Sequence, residues 1–127
     1  MILRRATRWA VAAAMVAVGV RHFTDPGPFV GIVPAALPAK LALVWISGAA
    51  EVLGGLGLLA RRTRRAAGYG LIALYVAVFP ANVNMALHHL ALGDTVVPTW
   101  ALWARLPLQA VFIALAWWVS RDDDLAG

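Results

Sequence analysis

Cysteine is absent from the sequence. That removes disulfide frameworks, thiolate metal sites, CxxC redox chemistry and a cysteine nucleophile. It leaves the compartment open, since a chain without cysteine fits either side of a membrane. Charge is scarce too: 13% of the 127 residues are Asp, Glu, Lys or Arg, against about a quarter in an ordinary soluble domain. So few charged groups cannot coat a globular surface. With 62% hydrophobic residues and a mean hydropathy of +0.78, the composition reads as a single-domain integral membrane protein with only short stretches outside the bilayer.

Acidic residues are the rarer charge, six against eleven basic ones, for a net +5 and a pI near 11.1. The placement of the arginines argues against a nucleic-acid partner. Arg4, Arg5 and Arg8, then Arg61, Arg62, Arg64 and Arg65, form two tight clusters flanking apolar runs. That is the pattern of topogenic charge at a cytoplasmic membrane face.

Apolar runs are what the sequence has in quantity, and they predict an all-α, four-transmembrane-helix bundle with spans at about 6–23, 41–60, 66–87 and 99–119. The second run, from Leu41 to Ala60, is broken only by Glu51 and small positions. Its length covers ~30 Å of hydrocarbon at ~1.5 Å per residue. The third and fourth are also of spanning length, and each carries a proline. The first is the weakest, because its uninterrupted part, Trp9 to Val20, covers only about 18 Å as a helix. A basic start and a short apolar run also fit a secretory signal, with Ala17 and Gly19 before a cleavage site. Three further spans favour an uncleaved helix in which Arg8 snorkels to one interface, while Arg21 and His22 lie inside the other.

The arginine clusters predict an N-in/C-in topology: both termini and residues 61–65 are cytoplasmic, and loops 24–40 and 88–98 face out. The multi-pass chain is thus expected in the cell membrane, in the manner of a bacterial inner-membrane protein. The first outer loop, from Phe29 to Pro38, is too apolar to be solvated, and its prolines disfavour a long helix. It reads as an interfacial or re-entrant segment capping the bundle. Arg121 to Asp124 reads as a solvated end. No repeat of 20–50 residues is present.

Ionisable groups in hydrocarbon are costly and need a partner or a purpose. Glu51 lies ~15 Å along the second span, with Ser47, Gly48, Gly54 and Gly55 as its helical neighbours. The carboxylate therefore shares the small-residue face and points into the bundle. On the fourth span Arg105 and Gln109 lie one turn apart, Gln109 level with Glu51. These depths predict a buried Glu51–Arg105 ion pair, completed by Gln109. Such a pair also commonly serves only to fix helix register. Tyr75, Asn82 and His89 recur by sevens on the third span. Pro80 and Pro107 free the Val76 and Trp103 carbonyls. With His22, these positions predict one outward-facing polar pocket of His22, Glu51, Tyr75, Asn82, Arg105 and Gln109. No metal is expected, because His22, His88 and His89 lack companions at ligand spacing. Trp9, Trp100, Trp103, Trp117 and Trp118 read as interfacial belts. Gly54, Gly55 and Gly57 read as packing positions rather than a phosphate loop.

Four motifs together carry a family resemblance. They are Gly19-x-x-His22-Phe23 with Pro26, Ser47-Gly48-x-x-Glu51-x-x-Gly54-Gly55-x-Gly57-Leu58, Phe79-Pro80-Ala81-Asn82, and Arg105-Leu106-Pro107-Leu108-Gln109. In order and spacing, over residues 16–118, they resemble the DoxX-like family of small membrane proteins. The resemblance implies a four-helix membrane domain and an accessory or assembly role. Relatives include a small subunit associated with thiosulfate:quinone oxidoreductase and a component of methylamine dehydrogenase maturation. It also implies that His22, Glu51, Asn82, Arg105 and Gln109 are pocket residues, while the missing cysteines exclude any thiol-based activity of a relative.

The expected function is an inner-membrane accessory protein without catalysis of its own. It would act with a membrane enzyme partner or as a homo-oligomer and support a redox or envelope process. One alternative is a quinone- or small-ligand-binding subunit, with Asn82, Gln109 and His22 bonding a quinone carbonyl. Another is a proton-coupled exporter, disfavoured because Glu51 sits in the second span with an arginine at matching depth.

Overall fold

The computed structural model describes residues 2–91 and 93–121. Within them the chain is all-helical: α1 (Ile2–Thr24), α2 (Gly27–Val30), α3 (Lys40–Leu59), α4 (Arg64–His88) and α5 (Thr99–Val119). Asp122, Asp123 and Asp124, expected at a solvated end, lie outside the described residues. The helices α3, α4 and α5 are long and apolar enough to cross a membrane. At 23 residues α1 is of similar length, but it carries Arg4, Arg5, Arg8 and Arg21 and is not one of those three.

The helix boundaries follow from local chemistry. Pro26 follows α1 and cannot continue it. At the end of α3, Thr63 Oγ1 donates to the Gly57 carbonyl at 2.8 Å and Arg64 Nε to the Leu58 carbonyl at 2.9 Å. Carbonyls that have run out of helical donors are thereby satisfied. The α4 helix stops at His89, whose left-handed backbone (φ 49°) closes the last turn in the way a C-terminal glycine usually does. Pro98 precedes α5, and its carbonyl accepts the first helical bonds from Ala101 and Leu102.

Neighbours in sequence are neighbours in space: α1 packs along α3, α3 along α4 and α4 along α5, while α5 also touches α1. Small residues set the closeness of the first contact. A Cβ on Gly48 would stand 2.6 Å from His22 Cβ, and one on Gly55 only 2.8 Å from the Ala12 carbonyl oxygen. Neither position has room for a side chain, so the two backbones approach as small-residue helix pairs do. On the other side of α3, Gly54 receives Leu71 of α4. Leu58, Leu71, Tyr75, Ala116 and Val119 form one buried cluster among α3, α4 and α5.

The α1–α3 register explains the apolar connection between them. Gly19 meets Gly48 and Ala12 meets Gly55, so Thr24 ends roughly three residues, or ~4.5 Å, short of the start of α3. Residues 25–39 occupy the step. Within them Ile32 is buried against Met85, Ala86 and Leu102, and Asn84 Nδ2 donates to the Ile32 carbonyl at 3.1 Å. The segment packs as core at Ile32, while residues 35–39, Leu37 among them, stay exposed.

Candidate functional site

Two sets of polar side chains lie between the helices, both on the side where residues 25–39 close the assembly. The first joins α1 to α3. His22 falls on the buried stripe of α1 with Arg8, Ala12 and Gly19, and Glu51 on that of α3 with Val44, Gly48, Gly55 and Leu58. His22 Nε2 stands 3.2 Å from Glu51 Oε1, with both side chains nearly buried. The other ring nitrogen, Nδ1, is 2.8 Å from the Val18 carbonyl oxygen. Phe29 of α2 stacks on the imidazole at 3.9 Å between ring centroids. The imidazole is thus held from three sides by a carbonyl, an aromatic face and the Gly48 backbone.

The second set joins α4 to α5. Arg105 donates to Asn82 Oδ1 at 3.2 Å and to the Met85 thioether at 2.8 Å. Asn82 Nδ2 donates to Gln109 Oε1 at 2.8 Å, and Gln109 Nε2 donates to the Tyr75 backbone carbonyl. The chain therefore runs from a guanidinium through two amides to a main-chain oxygen. Gln109, at 6% exposure, has both ends of its amide bonded, as a buried amide requires.

These contacts correct the expected pairing. Glu51 meets His22, not Arg105, and Gln109 bonds Asn82 and Tyr75 rather than Glu51. Without an arginine beside Glu51, the position of that carboxylate in the second apolar run is the one ground left against an exporter. The carbonyl taken by Gln109 belongs to Tyr75, one residue before the Val76 carbonyl that Pro80 deprives of its donor. The Tyr75 hydroxyl turns away to Met15 on α1, at 3.1 Å. His89 caps α4 and is exposed, outside the Tyr75–Asn82 stripe. Of the six expected site residues, the structure brings His22 to Glu51, and Asn82 to Arg105, Gln109 and the Tyr75 backbone.

Arg8 differs most from expectation. It does not snorkel but is buried at 3% exposure. Its Nε donates to the Val119 carbonyl at 2.7 Å and its Nη2 to the Arg121 carbonyl at 2.8 Å. A cation there meets both the orphan carbonyls and the negative end of the α5 dipole. Phe29 and Met85 also belong to the sites, and sequence reasoning did not place them. Only Met85 carried a signal, three residues after Asn82 on the same helical face. Among the described residues no group of three or more His, Cys, Asp or Glu could hold a metal ion.

No curated protein and no solved structure matches the chain. A family model described as a domain of unknown function, DUF8561, matches residues 11–120. The chain belongs to that family, and the match takes in both polar sets.

Proposed function

We propose that this protein is a DoxX-like, multi-pass accessory protein of the bacterial inner membrane, without catalysis of its own, whose interior polar groups serve a ligand or a partner. In this reading α1, α3, α4 and α5 form a four-helix transmembrane bundle with both termini inside. Residues 25–39 cap it from outside as a re-entrant segment. Support comes from the arginines at one end, the unbroken succession of helix contacts, and large apolar side chains such as Ile46, Leu53, Val76 and Val111 turned outward.

The observation that carries the functional part is Arg105. Its guanidinium lies about 9 Å along α5 and bonds an amide oxygen and a thioether, with no carboxylate within ion-pair reach among the described residues. Arginine cannot shed its charge, and a thioether is a weak acceptor. An oxygen from a partner chain or a bound molecule completes this group. In this reading a membrane enzyme partner or a second copy of this chain supplies it.

A quinone is the second reading, favoured by the N–H donors of Arg105 beside Asn82, which suit a carbonyl oxygen. Native mass spectrometry of protein released from its own membranes tests both. The wild type should retain an added mass, a protein or a quinone, that Arg105→Gln loses. A wild type and variant that both fly bare would overturn the proposal. A short-chain ubiquinone that raises the melting temperature of the wild type but not of the variant would select the second reading.

A further inference from the structure

His22 and Glu51 cannot face each other as they do without a proton between them. The Val18 carbonyl only accepts, so Nδ1, at 2.8 Å from it, carries the N–H. That assigns the free lone pair of a neutral imidazole to Nε2. Opposite Nε2, at 3.2 Å, is Glu51 Oε1, which in the ionised acid also offers only lone pairs. Two acceptors at that separation, out of water, repel each other. One proton removes the conflict, whether it resides on Nε2 as an imidazolium or on Oε1 as a neutral acid.

We infer that His22 and Glu51 together are a proton-binding site inside the helix assembly, holding one proton between Nε2 and Oε1 directly beneath Phe29. The surroundings fix the two groups in place. The Gly48 backbone abuts His22 Cβ, Phe29 covers the ring, and the Val18 carbonyl sets its rotation. The nearby charged and titratable side chains are otherwise engaged or turned outward. Arg21 and Asp25, beside His22, are exposed; Tyr75 on α4 is bonded to Met15; Arg105 on α5 is bonded to Met85 and Asn82. The pair therefore takes up and releases its proton as a unit, and release sets the two acceptors against each other under the capping segment.

The test uses the full chain in detergent, with melting temperature followed against pH. In the unfolded chain imidazole gives up its proton near a pH of about 6.5. A folded state that keeps the shared proton beyond that point binds more protons than the unfolded one, so stability falls as pH rises further. In Glu51→Gln the carboxamide donates an N–H to Nε2 of the neutral imidazole and no shared proton is needed, so this part of the fall should disappear. His88 and His89 are common to both proteins and cancel in the comparison. His22→Gln, which gives an ionised Glu51 an amide donor, should flatten the profile in the same way. Nitrogen NMR of histidine-labelled wild type supplies a readout that needs no variant: His22 should carry hydrogen on Nδ1 at all pH values, with the Nε2 signal alone moving. Profiles of both variants parallel to wild type, or an Nε2–H imidazole with bare Nδ1, would overturn the inference.

Discussion

At the scale of single residues, the informative contrast is between arginines of the same cluster. Arg5 is exposed, whereas Arg8 is buried and gives its donors to the Val119 and Arg121 carbonyls. Removing a partner from a buried acceptor costs about 1–3 kcal/mol per group, while an exposed substitution away from such features usually stays within about 0.5 kcal/mol. Arg8→Gln should therefore destabilise the folded protein by several kcal/mol and Arg5→Gln by almost nothing. Chemical denaturation of the two variants in the same detergent checks this, and equal losses would place Arg8 at the surface. A second residue-scale expectation concerns Ala39, which enters α3 with a left-handed backbone, φ 51° and ψ 50°. Outside glycine that conformation costs about 1–2 kcal/mol. Ala39→Gly should raise the melting temperature despite the extra freedom that glycine gives the unfolded chain. A lowered value would mean that the Ala39 side chain makes contacts worth more than the strain.

At the scale of elements, the α1–α3 contact decides how much of the site was legible in the sequence. That Glu51 lies on the small-residue face could be read from Ser47, Gly48, Gly54 and Gly55, and its stripe is buried against α1. That its partner is His22 could not be read by counting depth, because counting treats α1 as a span reaching the same level as α3. The helix stops about 4.5 Å lower, which brings His22 toward Glu51 and leaves a step for residues 25–39. Pro26 marks where α1 ends but not how far it has slid along its neighbour. The slide is set by Gly19 on Gly48 and Ala12 on Gly55, a pairing between helices that one sequence does not disclose. The same contact makes a prediction. A Cβ at Gly55 would press on the Ala12 carbonyl, which is backbone and cannot swing away, so Gly55→Leu must part the two helices and pull His22 from Glu51. Leu58→Ala leaves a cavity at a fully buried position, about 2–5 kcal/mol in a water-soluble core. Part of that cost is transfer from water, which is absent where lipid is the solvent. Gly55→Leu should accordingly lower the melting temperature more than Leu58→Ala, and the reverse order would put this face of α3 against lipid.

At the scale of the whole molecule, the two ends of the helix assembly differ in kind, and this asymmetry bears on orientation. One end gathers Arg4, Arg5 and Arg8 of α1 with the 61–65 turn and Arg121 after α5. Here arginines also stack on aromatic rings: Arg121 lies 3.5 Å from the Trp117 ring centroid and Arg4 lies 5.6 Å from that of Trp118. The opposite end is closed by residues 25–39 and carries few charges, among them Lys40, Asp25 and Asp94. Arg105 lies nearer this second end, and the buried His22–Glu51 pair reaches from it to the middle of α3. An excess of Lys and Arg in short loops marks the cytoplasmic side during insertion, so the arginine end should face the cytoplasm and the capped end the other compartment. A periplasmic phosphatase fused after Arg65 should then be inactive, and one fused at Gly93 active. The contrast also bears on α1, the one long helix that is not apolar enough to stand with the other three. If α1 crosses, a reporter before Arg4 and one after Arg65 report the same side; if it lies along the surface, the reporter at the amino terminus changes sides while the pair at 65 and 93 does not. Arg8 is buried against the α5 terminus and His22 against the middle of α3, so α1 lies along the other helices and the fusions before Arg4 and after Arg65 should report the same side. Opposite results for the fusions before Arg4 and after Arg65 would therefore break the packing of α1 as well as the topology.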